Sequence, residues 1–177
     1  MSHEEHRREG PREVRLAVVT ASDSRGEAQD TSGAFLRQAA ASAGHPVVAY
    51  RLVKDEPDAI QAALAEALAA GAQAILVNGG TGISARDRTY EAVSGVLEKR
   101  LDGFGELFRM LSYAEIGSAA MMSRAVAGVW RQCVVFSMPG STSAVRLAWD
   151  KLIAPELVHL VRELEKHARP AQGSAPR

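Results

Sequence analysis

Short apolar runs alternate with stretches of helical periodicity along the first half of this chain, and that alternation constrains its fold more than any other feature. "VRLAVVT" (14–20) and "AILVN" (74–78) are nearly continuous apolar segments with β-branched residues, the pattern of strands covered on both faces. "HPVVAYRLV" (45–53) reads as a third, less apolar strand. Between them lie "TSGAFLRQAAASAG" and "PDAIQAALAEALAAG", the second with Ile60, Ala63, Leu64, Ala67 and Leu68 on one helical stripe and an end at Gly71. Strand, helix, strand, helix, strand predicts an α/β fold whose parallel strands are joined by right-handed crossovers, with helices on both faces of the sheet.

The second half is mixed. "RTYEAVSGVLEKR" and "FGELFRMLSYAEIGSAAMMSRA" read as a helical zone, and "AVAGVWRQCVVFSMPGS" as two short strands around a polar turn, the second stopped by Pro139 and Gly140. Two helices close the domain. "STSAVRLAWDKLI" has Ser141 as its N-cap, and "PELVHLVRELEKH" carries Leu157, Leu160, Val161 and Leu164 at helical spacing after a proline suited to a first turn. Polar residues 1–12 and 168–177 read as a flexible leader and tail around one domain at 13–167.

Composition removes several function classes. Acidic and basic residues balance at 21 each, which argues against broad electrostatic capture of nucleic acid or an anionic membrane and points to a small ligand. No apolar stretch approaches the ~20 residues of a membrane span, and "MSHEEHRREG" is too charged for a signal peptide, so the cytoplasm is the expected location. The single cysteine, Cys133, lies in "CVVF" and reads as a buried strand thiol. The five histidines show no paired zinc spacing.

In open parallel sheets, ligands gather at the carboxyl ends of the strands, and three candidate loops leave there, at Ser22, Lys54 and Asn78. The loop after Asn78, "GGTGISARDR", lets the backbone N–H groups around Gly79, Gly80 and Gly82 converge on an anion, with Thr81 and Ser84 adding hydroxyls. It lacks the Lys-Ser or Lys-Thr of a Walker loop and the spacing of the dinucleotide fingerprint, so taken alone it is equally a plain turn. "SMPGSTSAV" supplies a second cradle, since a strand followed by Pro139, Gly140, Ser141 and Thr142 opens a helix with free N–H groups and a positive end. Its structural alternative is a turn followed by a cap.

Asp55 in "LVKDEPD" and Asp87 in "SARDR" follow strands at the same edge of the sheet. Carboxylates beside phosphate loops hold Mg²⁺, which neutralises phosphate charge as a phosphoryl or nucleotidyl group is attacked. Each also has a structural reading, Asp55 as a cap of the helix near Pro57 and Asp87 as a favourable charge at the next helix start. Asp23 and Asp30 read more weakly, as turn and cap residues.

"TASDSRGEAQDTSG", "LVKDEPDAI", "NGGTGISARDRTYEAV", "GFGELFRMLSY" and "MPGSTSAVRLAWDKL", in this order, resemble the molybdopterin-binding family of molybdenum cofactor biosynthesis over about residues 13–165. The resemblance implies a three-layer α/β/α sandwich with a mostly parallel central sheet. The domain would bind molybdopterin, a pterin dithiolene phosphate, and in active members use ATP and Mg²⁺ to adenylylate it with release of pyrophosphate. By position, the family's functional acids fall on Asp55 and Asp87, its phosphate loop on Gly79 to Gly82, and its Pro-Gly-Ser element on Pro139 to Ser141. Its "D-T-S-G" and "GFGE" segments bring Asp30, Ser32 and Glu106 as further ligand contacts. Tyr90 stands where many relatives have proline, and Asn78 where a threonine usually precedes the glycines.

Because some members keep the fold without the catalytic acids, a non-catalytic molybdopterin carrier or oligomeric scaffold stands beside the adenylyltransferase, and a chance phosphate-binding domain is the third reading. The resemblance also implies a homo-oligomer, trimer or hexamer, and "ELFRMLSYAEIGSAAMM" carries apolar side chains for it.

Overall fold

Leu16–Ala21 form strand β1, and all six of its side chains are buried, as a strand covered on both faces requires. The protein is described from a computed structural model over residues 13–166; the expected leader and tail lie outside the described residues. The chain continues through helix α1 (Thr31–Ser42), β2 (Val47–Val53), α2 (Pro57–Ala69), β3 (Ala74–Asn78) and α3 (Thr89–Ser94). It then runs through β4 (Lys99–Arg100), α4 (Asp102–Ile116), β5 (Val126–Trp130), β6 (Cys133–Met138), α5 (Thr142–Ala148) and α6 (Ala154–Lys166).

The six strands form one sheet in the order β2-β1-β3-β6-β5-β4. β2, β1, β3 and β6 are mutually parallel, and only β5 runs against its neighbours. Alternate side chains of each central strand feed two cores. Leu16, Val18 and Leu76 pack with α1, α4, α5 and α6, whereas Ala17, Val19 and Ile75 pack with α2 and α3 through Ile60, Leu64 and Val93. The result is the three-layer α/β/α sandwich with a mostly parallel sheet.

Two elements differ from their sequence reading. Residues 95–100 leave the expected helical zone, because after Gly95 the chain pairs with β5 instead: Glu98 N–H donates to Val129 O at 2.8 Å and Leu101 N–H to Ala127 O at 2.8 Å. The two closing helices are one continuous rod, joined by a π-helical segment at Trp149–Ile153. Pro155 has no N–H for the carbonyl four residues back, and its ring crowds that position; the wider turn takes up the misfit and the helix continues.

The strand order reverses at β1, which feeds β2 on one side and, through β2 and α2, β3 on the other. A crevice therefore opens beyond the carboxyl ends of β1 and β3, as the topology of such sheets dictates.

Candidate functional site

A cleft of about 500 Å³ occupies that crevice, lined from three successive strand exits: Ala21 to Arg25 after β1, Gly79 to Gly82 with Arg86 and Asp87 after β3, and Pro139 to Ser141 after β6. Asp55 and the pair Met122 and Ser123 complete the lining. Gly79 and Gly80 are required there. Both have positive φ, at 112° and 46°, and a Cβ on Gly79 would overlap the Ala21 carbonyl oxygen while one on Gly80 would run into the Asp55 carboxylate. The bare backbone thus lets the loop close over Asp55, while Gly79 N–H donates to Met138 O at 3.1 Å and ties β3 to the next exit loop.

Asp55 is only 5 % exposed. It does not cap α2, whose N-cap is Glu56; its Oδ1 accepts from Thr89 Oγ1 at 2.9 Å and from Arg88 N–H at 3.2 Å, holding the start of α3. Burial pushes its pKa above the ordinary carboxylate value; the hydrogen bonds from Thr89 and Arg88 oppose that rise, and the nearby charges of Asp87 and Asp23 add to it. Asp87 Oδ2 accepts from Ser84 N–H at 2.9 Å, which folds the loop back on itself. Asp23 is held below the ordinary range by its hydrogen bond from Arg86, whose Nη2 lies 2.7 Å from Oδ2. Arg86 also pairs with Glu56 at 3.1 Å.

Ser141 caps α5, accepting from Ala144 N–H at 3.2 Å, so the helix start faces the cleft as the sequence predicts. Arg25 stands on the same wall and donates to Gly140 O at 3.0 Å.

Of the residues singled out from sequence, Asp55, Asp87, Gly79, Gly80, Thr81, Gly82, Pro139, Gly140 and Ser141 line one cleft. Five stand elsewhere. Ser84 lies in the loop, its hydroxyl accepting from Arg86 N–H. Asp30 is buried behind the wall, accepting from Gly33 N–H at 2.9 Å as the α1 cap and from Tyr50 OH at 2.7 Å. Ser32 donates to Gly140 O at 2.9 Å, and Thr142 meets Thr31 hydroxyl to hydroxyl at 3.0 Å, so both brace the β6 exit from behind. Glu106 lines a second, smaller cleft of about 240 Å³ with Tyr90, Arg100 and Arg109. The two departures from the family pattern also have local partners: Asn78 Nδ2 donates to Thr20 Oγ1 at 2.9 Å, and Tyr90 OH accepts from Arg100 at 3.1 Å.

The sequence flagged the exit at Ser22 but gave no place in the site to Arg25, Arg86 or Ser123, and placed Met122 with the apolar side chains expected at a subunit contact. Strand order puts Arg25 and Arg86 in the cleft, and their signal was the exit loops that carry them. Met122 and Ser123 arrive from the connection into β5 and have no local signal.

The acids offer hard oxygen donors of the kind Mg²⁺ takes. Among the described residues no group of three or more His, Cys, Asp or Glu side chains gathers as a metal cage.

Residues 17–159 match the family described as "Probable molybdopterin binding domain". Molybdenum cofactor biosynthesis protein B of Bacillus subtilis is 53 % identical over 168 residues, covering 94 % of this chain and 99 % of that protein. The protein of the same name from Escherichia coli K12 is 45 % identical over 155 residues, 87 % of this chain and 91 % of that one. The crystal structure of the tungsten cofactor synthesizing protein MoaB from Pyrococcus furiosus is similar with a TM-score of 0.82 at 36 % identity, over 88 % of this chain and 99 % of that chain.

Proposed function

This chain belongs to the molybdopterin-binding family of molybdenum cofactor biosynthesis, and on that basis we propose that its cleft binds molybdopterin and adenylylates it with Mg-ATP. The observation that carries the reading is the gathering of Asp55, Asp87, the 79–82 loop and the Ser141 helix start around one cleft.

In the proposed reaction an oxygen of the molybdopterin phosphate attacks the α-phosphorus of ATP. A new phosphoanhydride bond forms, the bond between the α- and β-phosphates breaks, and pyrophosphate leaves with its electron pair. Two anions must meet, so screening and alignment matter more than a strong base. The amides of residues 80–82, and those of Thr142 and Ser143 at the start of α5, would cradle phosphate oxygens, with Arg25 and Arg86 adding positive charge at the rim; the Gly79 amide is engaged by Met138 O. Asp87 and Asp55 would hold Mg²⁺ together with those oxygens. The ion supplies charge neutralisation at the phosphates. Burial of Asp55 and the hydrogen bond on Asp87 keep both carboxylates oriented before substrate arrives.

The same reading makes the protein a cytoplasmic homo-oligomer, trimer or hexamer, joined through the apolar outer face of α4. Among the described residues no helix is long and apolar enough to cross a membrane.

Incubating the protein with molybdopterin, ATP and Mg²⁺ tests the reaction, with mass spectrometry reading the adenylylated pterin and pyrophosphate. Both products are expected. Tight molybdopterin binding without product would assign the cleft to a carrier, and neither binding nor product would overturn the proposal.

A further inference from the structure

We propose that Arg124 is a positioning residue for this cleft, a single guanidinium that closes the loop carrying Asp87 and ties it to the wall formed by Met122 and Ser123. Its catalytic consequence rests on the function proposed above; its hold on the loop does not.

The loop between β3 and α3 has few internal backbone bonds. Asp87 N–H donates to Ser84 O at 3.0 Å, and Thr89 N–H to Gly80 O at 3.1 Å. Arg124 adds a second tie across it. Its Nε donates to Thr81 O at 3.1 Å and its Nη2 to Asp87 O at 3.0 Å, so one planar group engages both limbs of the loop. The other side of the fork is taken by Glu91 on α3, which accepts from Nη1 and, at 3.4 Å, from Nη2. The Tyr90 ring lies 5.0 Å from the guanidinium carbon. With its side chain 26 % exposed, Arg124 is oriented from three sides.

Arg124 directly follows Met122 and Ser123, which line the cleft. The staple therefore sets the distance between the 122–123 wall and the backbone of Asp87, itself a lining residue of the cleft. Lysine keeps the charge but has no planar fork to reach two carbonyls and a carboxylate together. Supporting groups of this kind influence metal affinity by orienting the ligand, not by touching the metal.

The test uses Arg124→Lys, with Glu91→Gln as a second variant that loosens the guanidinium without touching the loop. Hydrogen exchange at the amides of residues 80–88 is expected to quicken by about tenfold in Arg124→Lys, and the Mg²⁺ concentration for half-maximal adenylylation to rise by about 10- to 100-fold. Molybdopterin affinity and Tm stay near wild type, and Glu91→Gln moves the same quantities less. A merely structural role would instead lower Tm and shift every parameter together, and that result, or unchanged exchange in 80–88, overturns the proposal. If the wild-type chain makes no adenylylated product, the reaction reading fails by itself and the exchange measurement decides the staple.

Discussion

The cleft at the carboxyl edge of the sheet and the outer face of α4 both meet solvent, and they are built in opposite ways. In the cleft nearly every charged side chain has a fixed partner: Asp23 with Arg86, Asp55 with Thr89, Asp87 with the Ser84 amide. On the outer face of α4 and the turns after it, Met110 is 61 % exposed and Met121 79 %, with Leu107, Tyr113 and Ile116 also open. The inner side of the same helix buries Phe104 and Phe108 in the core. A preorganised polar cleft suits a small anionic ligand, because its dipoles need no rearrangement when charge arrives. An apolar face has no such use for water, and it gains free energy only when another surface covers it.

The largest effect expected from breaking this contrast is at Gly80. Gly80→Ala places a Cβ against Asp55 at positive φ, and should cost about 2–5 kcal/mol in denaturant unfolding; an unchanged midpoint would mean that the loop closes differently. Asp87→Asn keeps the shape and removes one charge, so on the reaction proposed above adenylylation should fall by at least about 10- to 100-fold with molybdopterin affinity held. A wild-type rate in that variant would remove Asp87 from the metal. Met110→Glu probes the other region. On the homo-oligomer proposed above, it should leave the stability of the subunit fold within about 0.5 kcal/mol, yet lower the light-scattering mass toward that of the monomer, and an unchanged mass would overturn the assignment of the subunit contact to this face.

The smallest effect is a pH dependence far from both regions. His45 Nδ1 accepts from Val14 N–H at 3.2 Å, so the fold needs the neutral ring. Burial pushes its pKa below the ordinary 6.5, against a weaker upward pull from Glu13. With the folded value depressed, the contribution is complete above 6.5 and is lost as pH falls through the folded pKa. Tm should therefore decline as pH falls from 6.5 toward the folded pKa, and His45→Asn should flatten the decline.

Legibility in sequence followed the range of the forces involved. β3 matches its apolar run residue for residue, and Ile60, Ala63, Leu64 and Ala67 of the α2 stripe are buried, because burial on two faces or one leaves a periodic trace. The Ser141 cap was legible for the same reason, since its partner is three residues away. β4 was not legible. Two exposed residues, Lys99 and Arg100, are extended only because β5 offers an edge to pair with. For Asp55 the sequence identified a carboxylate at the right edge, but the partners that turned it away from α2, Arg88 and Thr89, lie more than thirty residues on.

By itself the sequence determined the α/β alternation, the strands that must be buried, the edge of the sheet where ligands gather and the acids and glycines found there. Those features follow from local periodicity and from the rule that parallel crossovers turn one way. Tertiary structure alone decided that Arg25 and Arg86 share a cleft with Asp55 and Asp87, that Asp30 stands behind its wall and Glu106 in another, and that Arg124 reaches back to the loop. The physical reason is that a hydrogen-bond partner is chosen by distance in space. Strand order, which no short window of residues contains, sets that distance.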